Sequence, residues 1–217
     1  RVCGGSKVLM KVGTQVSGKQ PQNQTSNQPS GDRARNHILW IDGVGGYLLL
    51  DRDELLIGQA VAGGHQDIGV VGDLSRQASI IKRVQSDYVI HPLQETCVDG
   101  KPITGAHLLA SGSTIGWGPR VQMKFTKPHP LSSSARLDLV SHHRFHPRVD
   151  GVILLSDSCI LGPGMSCHVV CPQWSNDLLL FRSGNQWFFR ALEEVDVNGV
   201  PTAGQILLAS GLRMRGA

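Results

Sequence analysis

One stretch of this chain occurs twice. Val98-Asp99-Gly100-Lys101-Pro102-Ile103-Thr104-Gly105-Ala106-His107-Leu108-Leu109-Ala110-Ser111-Gly112 returns 99 residues later as Val197-Asn198-Gly199-Val200-Pro201-Thr202-Ala203-Gly204-Gln205-Ile206-Leu207-Leu208-Ala209-Ser210-Gly211, with nine of the fifteen positions identical. Self-similarity at that spacing means two copies of one structural unit. It extends upstream, where Leu55-Leu56-Ile57-Gly58 is answered by Cys159-Ile160-Leu161-Gly162 and Asp73-Leu74-Ser75-Arg76 by Gln173-Trp174-Ser175-Asn176. The spacing contracts from 104 to 100 to 99, which puts a shorter loop after Gly162 in the second copy.

Within the first copy the apolar runs are short: His37–Ile41, Tyr47–Leu50, Leu55–Ile57, Ile68–Val71, Ala78–Ile81, Tyr88–Ile90 and Val121–Phe125. Gly, Pro, Asp or Ser separates nearly all of them and no helical period runs through any, so the chain is expected to be all-β, a pair of tandem sandwiches. Asp99-Gly100 and Asn198-Gly199 sit between apolar partners. These dipeptides tolerate the two positive φ angles of a type I′ turn and predict a tight hairpin in each copy. Residues 17–36 contain no large apolar side chain and read as a flexible linker. The expected organisation is a tail and Gln/Asn/Ser/Pro-rich linker over 1–36, a first domain over 37–130 and a second over 135–217. Because the sequence opens on Arg1 it is expected to be a piece of a longer chain. Copy two stops at Ala217, before its equivalent of Val121–Phe125. Its first strand, near Arg136–Val140, is therefore expected to carry an unpaired edge that favours self-association.

The formal net charge of +4 is not spread evenly. Residues 1–36 hold six Lys or Arg against Asp32 alone, and the other 181 residues hold 15 basic and 16 acidic side chains. A neutral fold lacks the basic stripe on which nucleic-acid affinity depends, so no nucleic-acid partner is expected. No apolar run approaches the length of a membrane helix. Five cysteines without regular spacing fit reduced thiols in the cytoplasm better than a disulfide framework. Cys3 is half of a Cys-x-x-Cys zinc hairpin at most. Cys159 and Cys171 align with Leu55 and Val71 and are expected in a core, as small hydrophobes rather than metal ligands or nucleophiles. His142, His143 and His146 are expected in a solvated loop. Gly43, Gly45 and Gly46 precede a strand, not the helix that a phosphate-cradling glycine loop requires. No cofactor, metal or catalytic activity is expected.

The order of motifs in copy one resembles the forkhead-associated (FHA) family, of the SMAD/FHA sandwich type. Ile57-Gly58-Gln59 stands for Gly-Arg, Asp67-Ile68 for Asp-Ile, Asp73-Leu74-Ser75-Arg76-Gln77-Ala78 for Ser-Arg-x-His, and Gln94-Glu95-Thr96-Cys97-Val98-Asp99-Gly100 for Asn-Gly-Thr leading to Val-Asn-Gly. Leu109-Ala110-Ser111-Gly112-Ser113-Thr114-Ile115-Gly116 closes the pattern. The resemblance covers both copies, roughly residues 37–217, and implies a non-enzymatic module that binds phosphothreonine peptides. It implies Ser75 and Arg76 as phosphate contacts, with Gln59, Gln94 and Thr96 completing the site. Gln59 replaces the family's Arg, Gln94 its first Asn and Ala78 its scaffold His. A hydrogen bond to a charged group contributes about 1.5–3 kcal/mol, so a neutral amide for Arg implies about ten- to a hundredfold weaker binding. In copy two Pro163, Asn176, Glu193 and Glu194 take the corresponding positions, and two carboxylates repel a phosphate. Copy two is expected to be a structural or protein-contact module. The alternative is a phosphate-independent scaffold or spacer belonging to a larger enzyme or membrane-attached protein.

Overall fold

The computed structural model describes residues 36–216. The tail, most of the linker and Cys3 lie outside the described residues. Repeat one contributes β1 (His37–Ile41), β2 (Gly45–Leu50), β3 (Glu54–Gln59), β4 (Ile68–Val71), β5 (Ser79–Val84), β6 (Asp87–Pro92), β7 (Thr96–Val98), β8 (Lys101–Ile103), β9 (His107–Leu108), β10 (Thr114–Trp117) and β11 (Val121–Thr126). Repeat two contributes β12 (Ala135–Leu139), β13 (Arg144–His146), β14 (Gly151–Leu154), β15 (Ser158–Gly162), β16 (Val169–Val170), β17 (Leu178–Ser183), β18 (Gln186–Val197), β19 (Val200–Leu207) and β20 (Leu212–Arg215). Among the described residues there is no helix, hence none long and apolar enough to cross a membrane. The all-β expectation holds.

Backbone hydrogen bonds repeat with the sequence. Asp99 and Gly100 have φ of 52° and 75°, Asn198 and Gly199 of 55° and 85°, so both predicted type I′ turns are present. Asp99 N–H donates to the Thr114 carbonyl at 2.8 Å, and Asn198 N–H to that of Arg213 at 2.9 Å. Leu109 N–H reaches the Tyr88 carbonyl as Leu208 N–H reaches that of Trp187, both at 2.8 Å.

The repeats are not, however, two separate sandwiches. One sheet of 14 strands runs β16-β15-β17-β18-β20-β1-β2-β14-β12-β11-β10-β7-β8, with β19 on β18, and a six-stranded sheet runs β13-β4-β3-β5-β6-β9. At the centre of the large sheet β2 and β14, equivalent segments of the two repeats, pair in parallel from Tyr47↔Gly151 to Leu50↔Leu154. Flanking them, the first strands have changed places: β12 lies against β11 of repeat one, and β1 against β20 of repeat two. Gly112 N–H donates to the Phe125 carbonyl on β11, whereas its counterpart Gly211 donates to the Ile38 carbonyl on β1. Thus β1 fills, in parallel orientation, the position beside β20 that β11 holds beside β10. This corrects two expectations. The division at 130–135 does not separate the cores, and Arg136–Leu139 has no open edge, because β12 is paired by β11 and by β14.

The exchange is built from apolar pattern. Leu48 and Leu50 of β2 and Val152 and Leu154 of β14 join a core with β3–β7 and β10–β12; Tyr47, Leu49 and Ile153 join a second core with Leu39, Ile41 and the remainder of repeat two. Strands buried on both faces need unbroken apolar runs, and Tyr47-Leu48-Leu49-Leu50 and Val152-Ile153-Leu154-Leu155 supply them. Arg136 on β12 adds a polar tie: its guanidinium lies 5.2 Å from the centre of the Tyr47 ring and donates to the His168 carbonyl at 3.1 Å. The histidine-rich segment is not a loop throughout, since β13 pairs with β4 and sets His146 opposite Gly69.

Candidate functional site

At one end of the first core, the loops after β3, β4 and β6 are tied to one another by backbone bonds. Gln59 N–H donates to the Ser75 carbonyl at 2.9 Å, Ala78 N–H to that of Ile57 at 2.9 Å, and Gln94 N–H to that of Ala78 at 3.1 Å. Gly58 is required here because a Cβ would collide with the Arg76 carbonyl oxygen. These ties fix the Ser75-Arg76 turn against the end of β3 while both side chains stay exposed. Asp67 sets the start of β4: its carboxylate accepts from Leu56 N–H at 2.9 Å and pairs with Arg52.

Arg76 forms no ion pair with a described residue. Together with Gln77 it lines a cavity whose other walls are Leu56 and the 61–66 loop, including His65 and Gln66. Among the described residues no carboxylate lines it. Sequence reasoning missed His65 and Gln66 because the loop between Gln59 and Asp67 carries no motif; only its length and its Gly63-Gly64 pair signal it.

Of the five predicted contacts, Ser75, Arg76 and Gln94 are exposed on adjacent loops. Gln59 is half-buried, and its amide donates to the Gly72 carbonyl at 3.1 Å, inside the loop. Thr96 is 1% exposed and is not a surface contact. Its position in β7 alternates inward, and it belongs to a hydrogen-bond chain in which Trp117 Nε1–H donates to Ser79 Oγ at 2.8 Å, Ser79 lies 3.0 Å from Thr96 Oγ1, and Thr96 donates to the Gln94 carbonyl at 2.8 Å. The chain runs out of the core and anchors the Gln94 loop. Thr96 therefore positions its neighbour instead of touching a ligand.

The corresponding end of repeat two has the opposite character. Asn176, Asp177, Glu193 and Glu194 line a groove with Trp174, Leu178, Ala191, Leu192, Val195 and Gly216. Pro163 and Ser175 do not line it. Pairing of β18 with β19 shifts register between Ala191 and Val195, and this bulge carries Leu192, Glu193 and Glu194 to the surface.

Cys159, Cys167, Cys171 and His168 are packed, not displayed. Cys159, Cys167 and Cys171 are 1%, 4% and 0% exposed. Burial pushes the Cys167 thiol up to about 11 and that of Cys171 up to about 12, with the neighbouring Asp177 adding to the rise at Cys167 and Cys167 to that at Cys171, so none is an activated nucleophile. By strand register Cys171 matches buried Val70, not exposed Val71, because the spacing at this point is 101. His168 is fully buried, and its Nδ1 accepts from Ile160 N–H at 3.0 Å. Burial lowers its pKa to about 4. Among the described residues no group of three or more His, Cys, Asp or Glu is placed to hold a metal ion.

No protein-family model matches the chain, and no curated protein matches it at a significant level.

Proposed function

We propose that the chain is a non-enzymatic protein-interaction module whose first repeat binds phosphothreonine peptides, in the manner of the FHA domains it resembles. The observation that carries this reading is Arg76: an exposed guanidinium without an acidic partner among the described residues, beside the Ser75 hydroxyl, on a loop locked to β3. A phosphate dianion is matched by such a pair, since a guanidinium offers several charge-assisted donors in fixed geometry and the hydroxyl adds another. The cavity beside it brings His65 and no carboxylate. Gln94 on the adjoining loop offers an amide to the peptide backbone. Free Cys97, Cys159, Cys167 and Cys171 support a cytoplasmic setting.

The experiment is a titration of the whole chain with a phosphothreonine peptide library and with its unphosphorylated counterpart. Phosphate-dependent retention is expected, weakened about ten- to a hundredfold by Arg76→Ala or Ser75→Ala. The turned-in amide of Gln59, bound to the Gly72 carbonyl, favours a second reading, a phosphate-independent scaffold or spacer. Equal retention of both libraries, or none at millimolar peptide, decides for that reading.

A further inference from the structure

We propose that the groove of the second repeat is a docking site for an extended, basic segment of a partner protein. The groove has an apolar floor of Trp174, Leu178 and Ala191 and a rim of Asp177, Glu193 and Glu194. Among the described residues, neither Glu193 nor Glu194 has an ion-pair or hydrogen-bond partner, and no basic side chain lines the groove. Close by, arginines find acids readily: Arg213 and Arg215 share Asp42, at 2.6 and 3.3 Å. The rim is thus left uncompensated where the fold has cations in reach of other carboxylates.

Leu192 shares the lip of the groove and is 80% exposed. An apolar floor and an exposed leucine beside open carboxylates match a strand-like segment that alternates lysine or arginine with aliphatic residues. Charge complementarity selects that occupant: an acidic peptide or a phosphopeptide meets three carboxylates, and a neutral apolar one leaves Glu193 and Glu194 unpaired. The bulge in β18 aims Leu192, Glu193 and Glu194 together, as bulges do where a side-chain set is directed at a ligand. The site stands apart from the reading of repeat one and survives its failure.

Fluorescence polarisation of the whole chain with labelled short peptides tests it, the probes being an alternating Lys/Leu peptide and its Glu/Leu and Ser/Leu counterparts. The Lys/Leu peptide is expected to bind saturably and more weakly in high salt. Glu193→Gln with Glu194→Gln is expected to weaken it about three- to tenfold, two rim charges each contributing modestly. Glu193→Lys with Glu194→Lys is expected to transfer binding to the Glu/Leu peptide, and Arg76→Ala to leave Lys/Leu binding unchanged. All three changed side chains are exposed, so circular dichroism is expected to show the parent fold. Equal binding of the three peptides, no saturable binding at millimolar Lys/Leu peptide, or unchanged affinity in the Gln variant overturns the proposal.

Discussion

Repeat one places Asp67 immediately before β4, and repeat two places His168 immediately before β16. The backbone bonds are the same: Asp67 N–H donates to the Leu56 carbonyl at 2.9 Å and His168 N–H to that of Ile160 at 2.8 Å. Each side chain then accepts the returning bond, Asp67 from Leu56 N–H and His168 from Ile160 N–H. One geometric requirement, an acceptor facing a β-strand amide, is met by a carboxylate paired with Arg52 and by a buried neutral imidazole. The loops above them diverge in the same spirit, with uncompensated Arg76 on repeat one and uncompensated Glu193 and Glu194 on repeat two. The comparison teaches that the scaffold fixes hydrogen-bond geometry while the sign of the charge at its open end is free to change.

The largest test asks whether the repeats are separable at all. Leu49 faces the second core and Leu50 the first, from adjacent positions of β2. Leu49→Ala and Leu50→Ala are each expected to destabilise by about 2–5 kcal/mol, the range for a buried leucine. Because β2 and β14 belong to both cores, each variant is expected to shift one common denaturation midpoint, followed through Trp117 in the first core and Trp187 in the second. Two midpoints, with only one moving in each variant, would restore independent domains.

Acid tests the Asp67/His168 exchange. The folded pKa of His168, about 4, lies below the ordinary 6.5, so the unfolded chain takes up a proton that the folded chain refuses. The sign follows: stability from this site is complete above about pH 6.5 and is lost as pH falls to about 4, by about 3 kcal/mol in all. Burial is the main cause; His129, whose ring stacks 6.5 Å away, opposes protonation, and Asp157 favours it. In His168→Gln, which keeps an acceptor for Ile160 N–H, the slope of stability against pH between those limits is expected to flatten. An unchanged slope would assign the acid sensitivity elsewhere.

A charge added to repeat one sharpens the contrast at the open ends. Gln59→Arg places a guanidinium beside Ser75 and Arg76, and phosphothreonine peptide affinity is expected to rise about ten- to a hundredfold, by one charge-assisted bond. Calorimetric titration of both forms measures it. No gain would mean that the end of β3 does not face the phosphate.

Much of this was legible in the chain. The duplicated Val98–Gly112 segment gave the repeats, and the Asp-Gly and Asn-Gly pairs gave both turns. The strand exchange was not read, although its signal was present: Tyr47–Leu50 and Val152–Leu155 are apolar at every position, the pattern of a strand buried on both faces, and each copy taken alone asks for burial on one. Which first strand pairs with which last strand leaves no local mark, because β1 and β12 both alternate inward and outward and fit either place. At the site, motif order located Ser75, Arg76 and Gln94, whereas Thr96 was misjudged because adjacent positions of a strand face opposite ways. Asp67 and His168 share no chemistry except an acceptor atom, and only the register equates them.

The smallest effect serves as a ruler for how alike the repeats remain. Gly100 and Gly199 hold equivalent second positions of their turns, at φ of 75° and 85°, and a Cβ at either would meet open space. Alanine is therefore opposed only by the left-handed backbone, and Gly100→Ala and Gly199→Ala are each expected to cost about 1 kcal/mol. If the cores unfold as one unit, the two losses are equal and additive in the double variant, since the turns share no contact partner. The neighbouring residues sharpen the measure: among the described residues the Asp99 carboxylate accepts from Thr114 N–H at 2.7 Å and from the Ser113 hydroxyl at 3.1 Å, while the Asn198 side chain accepts from Arg213 N–H alone, at 2.9 Å. Asp99→Ala is accordingly expected to destabilise more than Asn198→Ala in denaturant titrations. A reversed order would mean that the carboxylate's two bonds offset no more than the cost of holding its charge in the turn.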